Sequence, residues 1–192
     1  MRSSAGAASE SASYTVAQTR IIEAALALFA EHGIGGTSLQ MIAEAIGVTK
    51  AAVYHQYNTK DEIILAVAQV VLARLEAAVT AAEAERSRSR AREVLVTQMI
   101  DLAVERRQWA GVLQQDPVML RFLQEHEPFR RVMERVNRVL MGAASDPQAR
   151  VQTAMIAAAI AGAVIHPLVL RLDDQALRAQ LLRHVRKLLP LR

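Results

Sequence analysis

Three boxes of the form Thr-x-x-Gln/Glu fall within the first 62 residues: Thr15-Val16-Ala17-Gln18, Thr37-Ser38-Leu39-Gln40 and Thr59-Lys60-Asp61-Glu62. In such a box the Thr hydroxyl accepts from the N–H three residues on, and the Gln or Glu side chain reaches back to the Thr N–H, so each box marks a helix start. The first helix opens at Thr15, presents Ile21, Ile22, Ala25, Leu28 and Phe29 on one face, and stops at Gly33. After Ile34-Gly35-Gly36 a short helix runs from Thr37 to Ile46, where Gly47 supplies a left-handed cap. A third follows Thr49, covering Lys50 to about Gln56, and the last box opens a long helix from Lys60 into the eighties.

Helical periodicity continues downstream. A helix is expected from about Arg92 to Arg107, with Trp109 and Gly111 in the next break. Asp116-Pro117 and Glu127-Pro128 place Pro where helices begin, giving a short helix and then one to about Met141. Ser145-Asp146-Pro147 starts another, which His166-Pro167 ends or kinks near Ile165, and Asp173-Asp174 opens the last, to about Leu189. No run of alternating β-branched residues stands out as a strand, so the expected fold is all-α with about nine helices. The 192 residues are 52% hydrophobic, enough for a substantial core, and 4% aromatic. With no Cys, a disulfide framework and thiolate chemistry are excluded, which suits a cytoplasmic protein. Residues 1–13 lack the apolar region of a secretory signal and read as a disordered tail. The uncharged stretch 154–170, interrupted by His166-Pro167, reads as too short and too rich in Ala for a membrane span.

Two short helices joined by a Gly-containing turn and backed by a longer helix form the pattern of a helix-turn-helix. Ile42, Ala43, Ile46, Val48 and Val53 would hold it together. Thr49, Lys50, Ala51, Ala52, Tyr54, His55 and Gln56 would then face outward, where the second helix of such a motif meets base edges in the major groove. Thr37, Ser38, Gln40 and Lys60 sit at helix N-termini, whose free N–H groups favour phosphate.

From Arg20 to about Val67 the chain resembles the N-terminal domain of the TetR family of transcriptional regulators. The resemblance is carried by Ala25, Leu28-Phe29, Gly33, Thr37-Ser38-Leu39, Ile42-Ala43, Gly47-Val48, Val53-Tyr54 and Lys60. Two positions depart from that pattern: Ala51 stands where Gly is frequent, and Gln56-Tyr57 replaces the commoner aromatic pair. The resemblance implies a homodimer with a DNA-binding domain over 14–60 and a divergent effector-binding and dimerisation domain over 61–192. It also implies a double-stranded operator, a small-molecule effector, phosphate contact by Tyr54, and regulation by repression.

Trp109, Met119, Phe122, Met133 and Met155 could line an effector cavity, although at helical spacing each alone is also ordinary core. His166 has two readings, an effector contact or a satisfied helix-end group. The dimer face is expected in the small-residue helix 147–165 and the last helix, 174–189, with Leu177, Leu181, Leu182, Val185 and Leu188. The same residues could pack within one chain. The arginines 86, 88, 90 and 92 could bind nucleic acid, but read first as a solvated connection or a charged helix end. No HxxxH or HExxH pattern marks a metal site, no cofactor loop follows a strand, and no acid/base pair or nucleophile constellation suggests an enzyme. A helical adapter without DNA binding remains the alternative. Charge does not decide between them: of the net +4, residues 1–62 contribute −2 (four basic, six acidic groups) and the remainder +6.

Overall fold

A computed structural model describes residues 14–142 and 146–189, without the side chains at 108, 109, 113 and 114. The expected tail 1–13 and Ser145 lie outside the described residues. Ten α-helices follow one another, with no strand among the described residues. They are α1 Val16–Gly36, α2 Leu39–Ile46, α3 Lys50–Gln56, α4 Lys60–Glu83, α5 Arg88–Glu105, α6 Arg107–Gln115, α7 Pro117–Glu125, α8 Glu127–Met141, α9 Pro147–Val164 and α10 Asp174–Leu188. A short 3-10 turn, Pro167–Val169, separates the last two.

Side-chain oxygens start every helix except α6 and α8. Thr15 and Gln18 form the full reciprocal box. At α4, Thr59 accepts from Glu62 N, but the Glu62 carboxylate accepts from Asn58 N instead of returning to Thr59. The second box is not made. Ser38 caps α2 by accepting from Met41 N, and Gln40 donates to Glu44. Thr37 instead closes α1: its hydroxyl donates to Gly33 O at 2.9 Å and its N–H to Ile34 O. Gly33, at φ 72° and ψ 162°, breaks α1, and a last turn continues to Gly36.

Downstream, α5 starts at Arg88 under a Ser87 cap, four residues before the expected start. Arg92 is consequently not part of a solvated connection: it is buried, and its Nε donates to Leu140 O at 2.7 Å. The break expected at Trp109 and Gly111 is helix α6, which accounts for the tenth helix. Gly111 lies within α6 near the end of α9, where a Cβ would meet Ile165 at 3.8 Å, an ordinary contact.

Two cores divide along α4. The first joins Ile21, Ala25, Phe29, Ile42, Val53 and Ile63 through Val71 with Val112, Met119 and Leu123 of α6 and α7. The second joins Leu75, Val79, Leu95, Ile100, Val136, Ile156, Leu181 and their neighbours. Residues 60 and 61, where the sequence divides the domains, sit within the span of the first core. Burial on both halves explains why α4 is apolar and long enough for a membrane span: half of its apolar window is buried in protein. In α10, Leu177, Leu181, Leu182 and Val185 pack inside the second core, and only Leu188 of its apolar stripe is exposed. Apolar side chains are exposed on α9, where Val151 and Met155 stand 58% and 61% exposed beside Ala154, Ala158 and Ala159, and around the 3-10 turn, at Leu168 and Leu170.

Candidate nucleic-acid interface

Gly47 sets the turn between α2 and α3. At φ 70°, ψ 37° its N–H reaches Ala43 O and Glu44 O, and Val48 N donates to Ala43 O. Thr49 then caps α3 by accepting from Ala52 N. Seven residues make two turns, so one anchor fixes which side faces in: Val53 is wholly buried against Ile42 and Ala43. Lys50, Ala51, Ala52, Tyr54 and His55 are exposed, and Gln56 is half-buried. Lys50 Nζ lies 5.6 Å from the Tyr54 ring centroid, so a cation rests on an aromatic face at the outer surface. Gln56 Nε2 is 3.4 Å from His55 Nδ1.

At the N-termini the residues separate into two sets. Ser38, Gln40 and Thr49 are exposed, with Ser38 and Thr49 engaged as caps. Thr37 and Lys60 are occupied by the protein. Thr37 is 2% exposed, and Lys60 Nζ donates to Ile34 O at 2.8 Å and Thr37 O at 3.1 Å. Both therefore fix the approach of α2 to α1 and α4 rather than standing free for phosphate. Arg20 does similar work, donating from Nη2 to Ile46 O at 2.8 Å. Tyr57, one residue past α3, is buried in the first core, and its hydroxyl has no partner among the described residues. Burial, with smaller contributions from Tyr14 and Glu62, pushes its phenol up to about 12.

The interface is tied to the rest of the molecule by Asp116. Its Oδ1 caps α7, accepting from Val118 N and Met119 N, while Oδ2 accepts from Ile34 N at 2.6 Å. Sequence reasoning identifies Asp116 as a cap, but the Ile34 partner lies 82 residues away and leaves no local signal.

The six proposed effector contacts are not brought together. Met119 is fully buried in the first core. Phe122 is half-buried and stacks on His126 with ring centroids 5.1 Å apart. Met133 packs against the second core, and Met155 is on the surface of α9. His166 is exposed, its Nδ1 accepting from Leu168 N, which is the helix-end role. The Trp109 side chain lies outside the described residues. A recess among the described residues is lined by others, among them Phe29, Gly111, Val112 and Asp116.

The arrangement is a helix-turn-helix on an all-helical body. The profile of bacterial regulatory proteins of the tetR family matches residues 21–67. The HTH-type transcriptional repressor AcnR of Corynebacterium glutamicum is 34% identical over 61 residues, 32% of each chain. The icaADBC negative regulator IcaR of Staphylococcus epidermidis is 41% identical over 44 residues, covering 23% of this chain and 24% of that one. The chain thus matches these curated relatives over about a third of their length or less. Over nearly the full length the fold is that of KstR2, the ketosteroid transcriptional regulator of Mycobacterium tuberculosis. The TM-score is 0.72 at 17% identity, over 93% of this chain and 97% of that one. Over residues 21–67 the chain is thus similar to the tetR family of bacterial regulatory proteins, and over nearly its full length it shares the fold of KstR2.

Proposed function

We propose that this protein is a homodimeric, sequence-specific DNA-binding transcriptional regulator, a repressor released by a small apolar effector and working in the cytoplasm. The observation that carries the DNA-binding half is the face of α3: Val53 is turned fully inward while Lys50, Ala51, Tyr54 and His55 are outward. A helix held this way can enter the major groove, with Lys50 and His55 offered to base edges, the Ala51 methyl to a thymine methyl, and Tyr54 and Ser38 to phosphate. The exposed apolar stripe of α9, with Val151 and Met155, supports pairing of two copies about a two-fold axis, which would present two α3 helices to a palindromic site.

Binding of the purified chain to DNA from upstream of its own gene tests the reading. Affinity is expected to fall steeply as salt rises, through counterion release. Lys50→Ala and Tyr54→Ala are expected to weaken it by about 1–3 kcal/mol each. If the wild type shows no salt-dependent binding to that DNA, the adapter reading replaces this one.

A further inference from the structure

Ile34 is the point from which the helix-turn-helix hangs. Gly33 interrupts α1 at φ 72°, ψ 162°, a region of backbone space open essentially to glycine alone. The four-residue hydrogen-bond pattern breaks there, yet Ile34 is only 1% exposed, so its N–H and C=O need partners other than bulk water. Two side chains from different elements meet them. Asp116, at the start of α7, accepts from Ile34 N through Oδ2 at 2.6 Å, and Lys60, at the start of α4, donates from Nζ to Ile34 O at 2.8 Å. Lys60 Nζ also donates to Thr37 O at 3.1 Å, and Thr37 immediately precedes the Ser38 cap of α2. Both groups are anchored by more than one bond: Asp116 Oδ1 accepts from Val118 N and Met119 N, and two of the three N–H donors of Lys60 point at carbonyls.

For Lys60 to reach a phosphate it would have to leave both carbonyls, stranding the buried Ile34 oxygen. We propose that Lys60 and Asp116 are positioning residues for DNA binding: they touch no DNA, and they set operator affinity by holding Ile34, and through it α2 and α3, in the arrangement that meets the groove. α2 begins just beyond Thr37, and α3 is packed on it through Val53 against Ile42 and Ala43, so a turn freed at Ile34 carries both helices with it. A chain whose binding-competent arrangement is only partly populated binds more weakly by that fraction, with no contact to DNA lost. The effect on DNA rests on the regulator reading; the hold on Ile34 does not.

The test measures affinity for upstream DNA by fluorescence anisotropy over a range of salt concentrations. Lys60→Met, similar in length but without a donor, is expected to weaken binding about tenfold while the salt slope stays that of the wild type, because no counterion-releasing contact is lost. A lost phosphate contact would instead reduce the slope by about one per subunit. Lys60→Arg, whose fork can serve both carbonyls, should restore most of the affinity. Asp116→Asn keeps an oxygen for the α7 cap but removes the charged acceptor from Ile34 N, and should weaken binding about threefold, again with an unchanged slope. The double variant should lose less than the product of the two single losses, since both groups hold one residue. Amide exchange in the free chain gives a readout without DNA. In Lys60→Met, amides of α2 such as Ile42 and Ala43 should exchange faster while those of α5 and α10, in the second core, keep their wild-type rates. A reduced salt slope in Lys60→Met, wild-type affinity in both single variants, or α2 exchange that is unchanged or rises only in step with the second core overturns the proposal. No salt-dependent DNA binding by the wild type overturns the regulator reading, and α2 exchange still decides whether Lys60 holds the turn.

Discussion

A single hydroxyl illustrates how burial and chemistry oppose each other in the first core. Tyr57 packs its ring among Val53, Ile63 and their neighbours, yet its OH has no partner among the described residues. A buried polar group left unsatisfied costs about 1–3 kcal/mol, so Tyr57→Phe is expected to stabilise the protein by about 1 kcal/mol in urea unfolding at neutral pH. The phenol ionises near 10.0 unexposed to such burial and near 12 in the fold. A raised folded pKa gives a contribution fully present below 10 and lost as pH rises through 12. Stability of the wild type should therefore fall across that interval more steeply than that of Tyr57→Phe. Equal slopes would mean that the Tyr57 ring is solvated.

At the scale of elements, the α2–α3 turn and the α4–α8 contact show two different sources of order. A Cβ at Gly47 would meet nothing within 4 Å, so the cost of Gly47→Ala is purely that of holding φ at 70°. It should destabilise by about 1 kcal/mol, measured by thermal unfolding, without disturbing packing. The α4–α8 contact is electrostatic at its rim: Arg135 donates to Thr80 and Glu83 and pairs with Glu76. Arg135 holds the Glu83 carboxyl below its ordinary 4.5, chiefly through the hydrogen bond. A lowered folded pKa stabilises above the unfolded value and is lost as pH falls through the folded one. Arg135→Met is expected to cost about 1 kcal/mol at neutral pH and to flatten the acid limb below pH 4.5. An unchanged acid limb would assign that loss to other carboxylates.

For the whole molecule, the decisive features are what joins the two cores and what remains uncovered. α4 runs through both, and Asp116 bolts α7 to the end of α1, so the helix-turn-helix is not a free bead. Asp116→Ala removes a helix cap and the Ile34 bond together. It should cost about 2 kcal/mol in stability and loosen α1, read as faster amide exchange at Ile34. On the outside, α9 leaves Val151 and Met155 bare. Met155→Glu places a charge in the proposed self-pairing face and is expected to yield monomers in sedimentation while leaving helicity intact. A dimer of unchanged affinity would move the pairing face elsewhere.

What could be read in the sequence was what depends on near neighbours. Thr15, Thr49, Thr59, Asp146 and Asp173 announce helix starts because a short oxygen-bearing side chain reaches an N–H two or three residues on. Gly47 announces a stop because its backbone tolerates positive φ, and the inward Val53 with outward Lys50 and Tyr54 follows from helical period alone. Tertiary structure decided the residues whose partners are far away in sequence. Lys60 meets Ile34 26 positions off, Arg92 meets Leu140 48 off, Arg107 meets Asp174 67 off and Asp116 meets Ile34 82 off. Their ordinary solvated alternatives are equally compatible with the local string. Only when the helices pack and remove water does a distant carbonyl, amide or carboxylate become their partner, and that selection leaves no periodic trace.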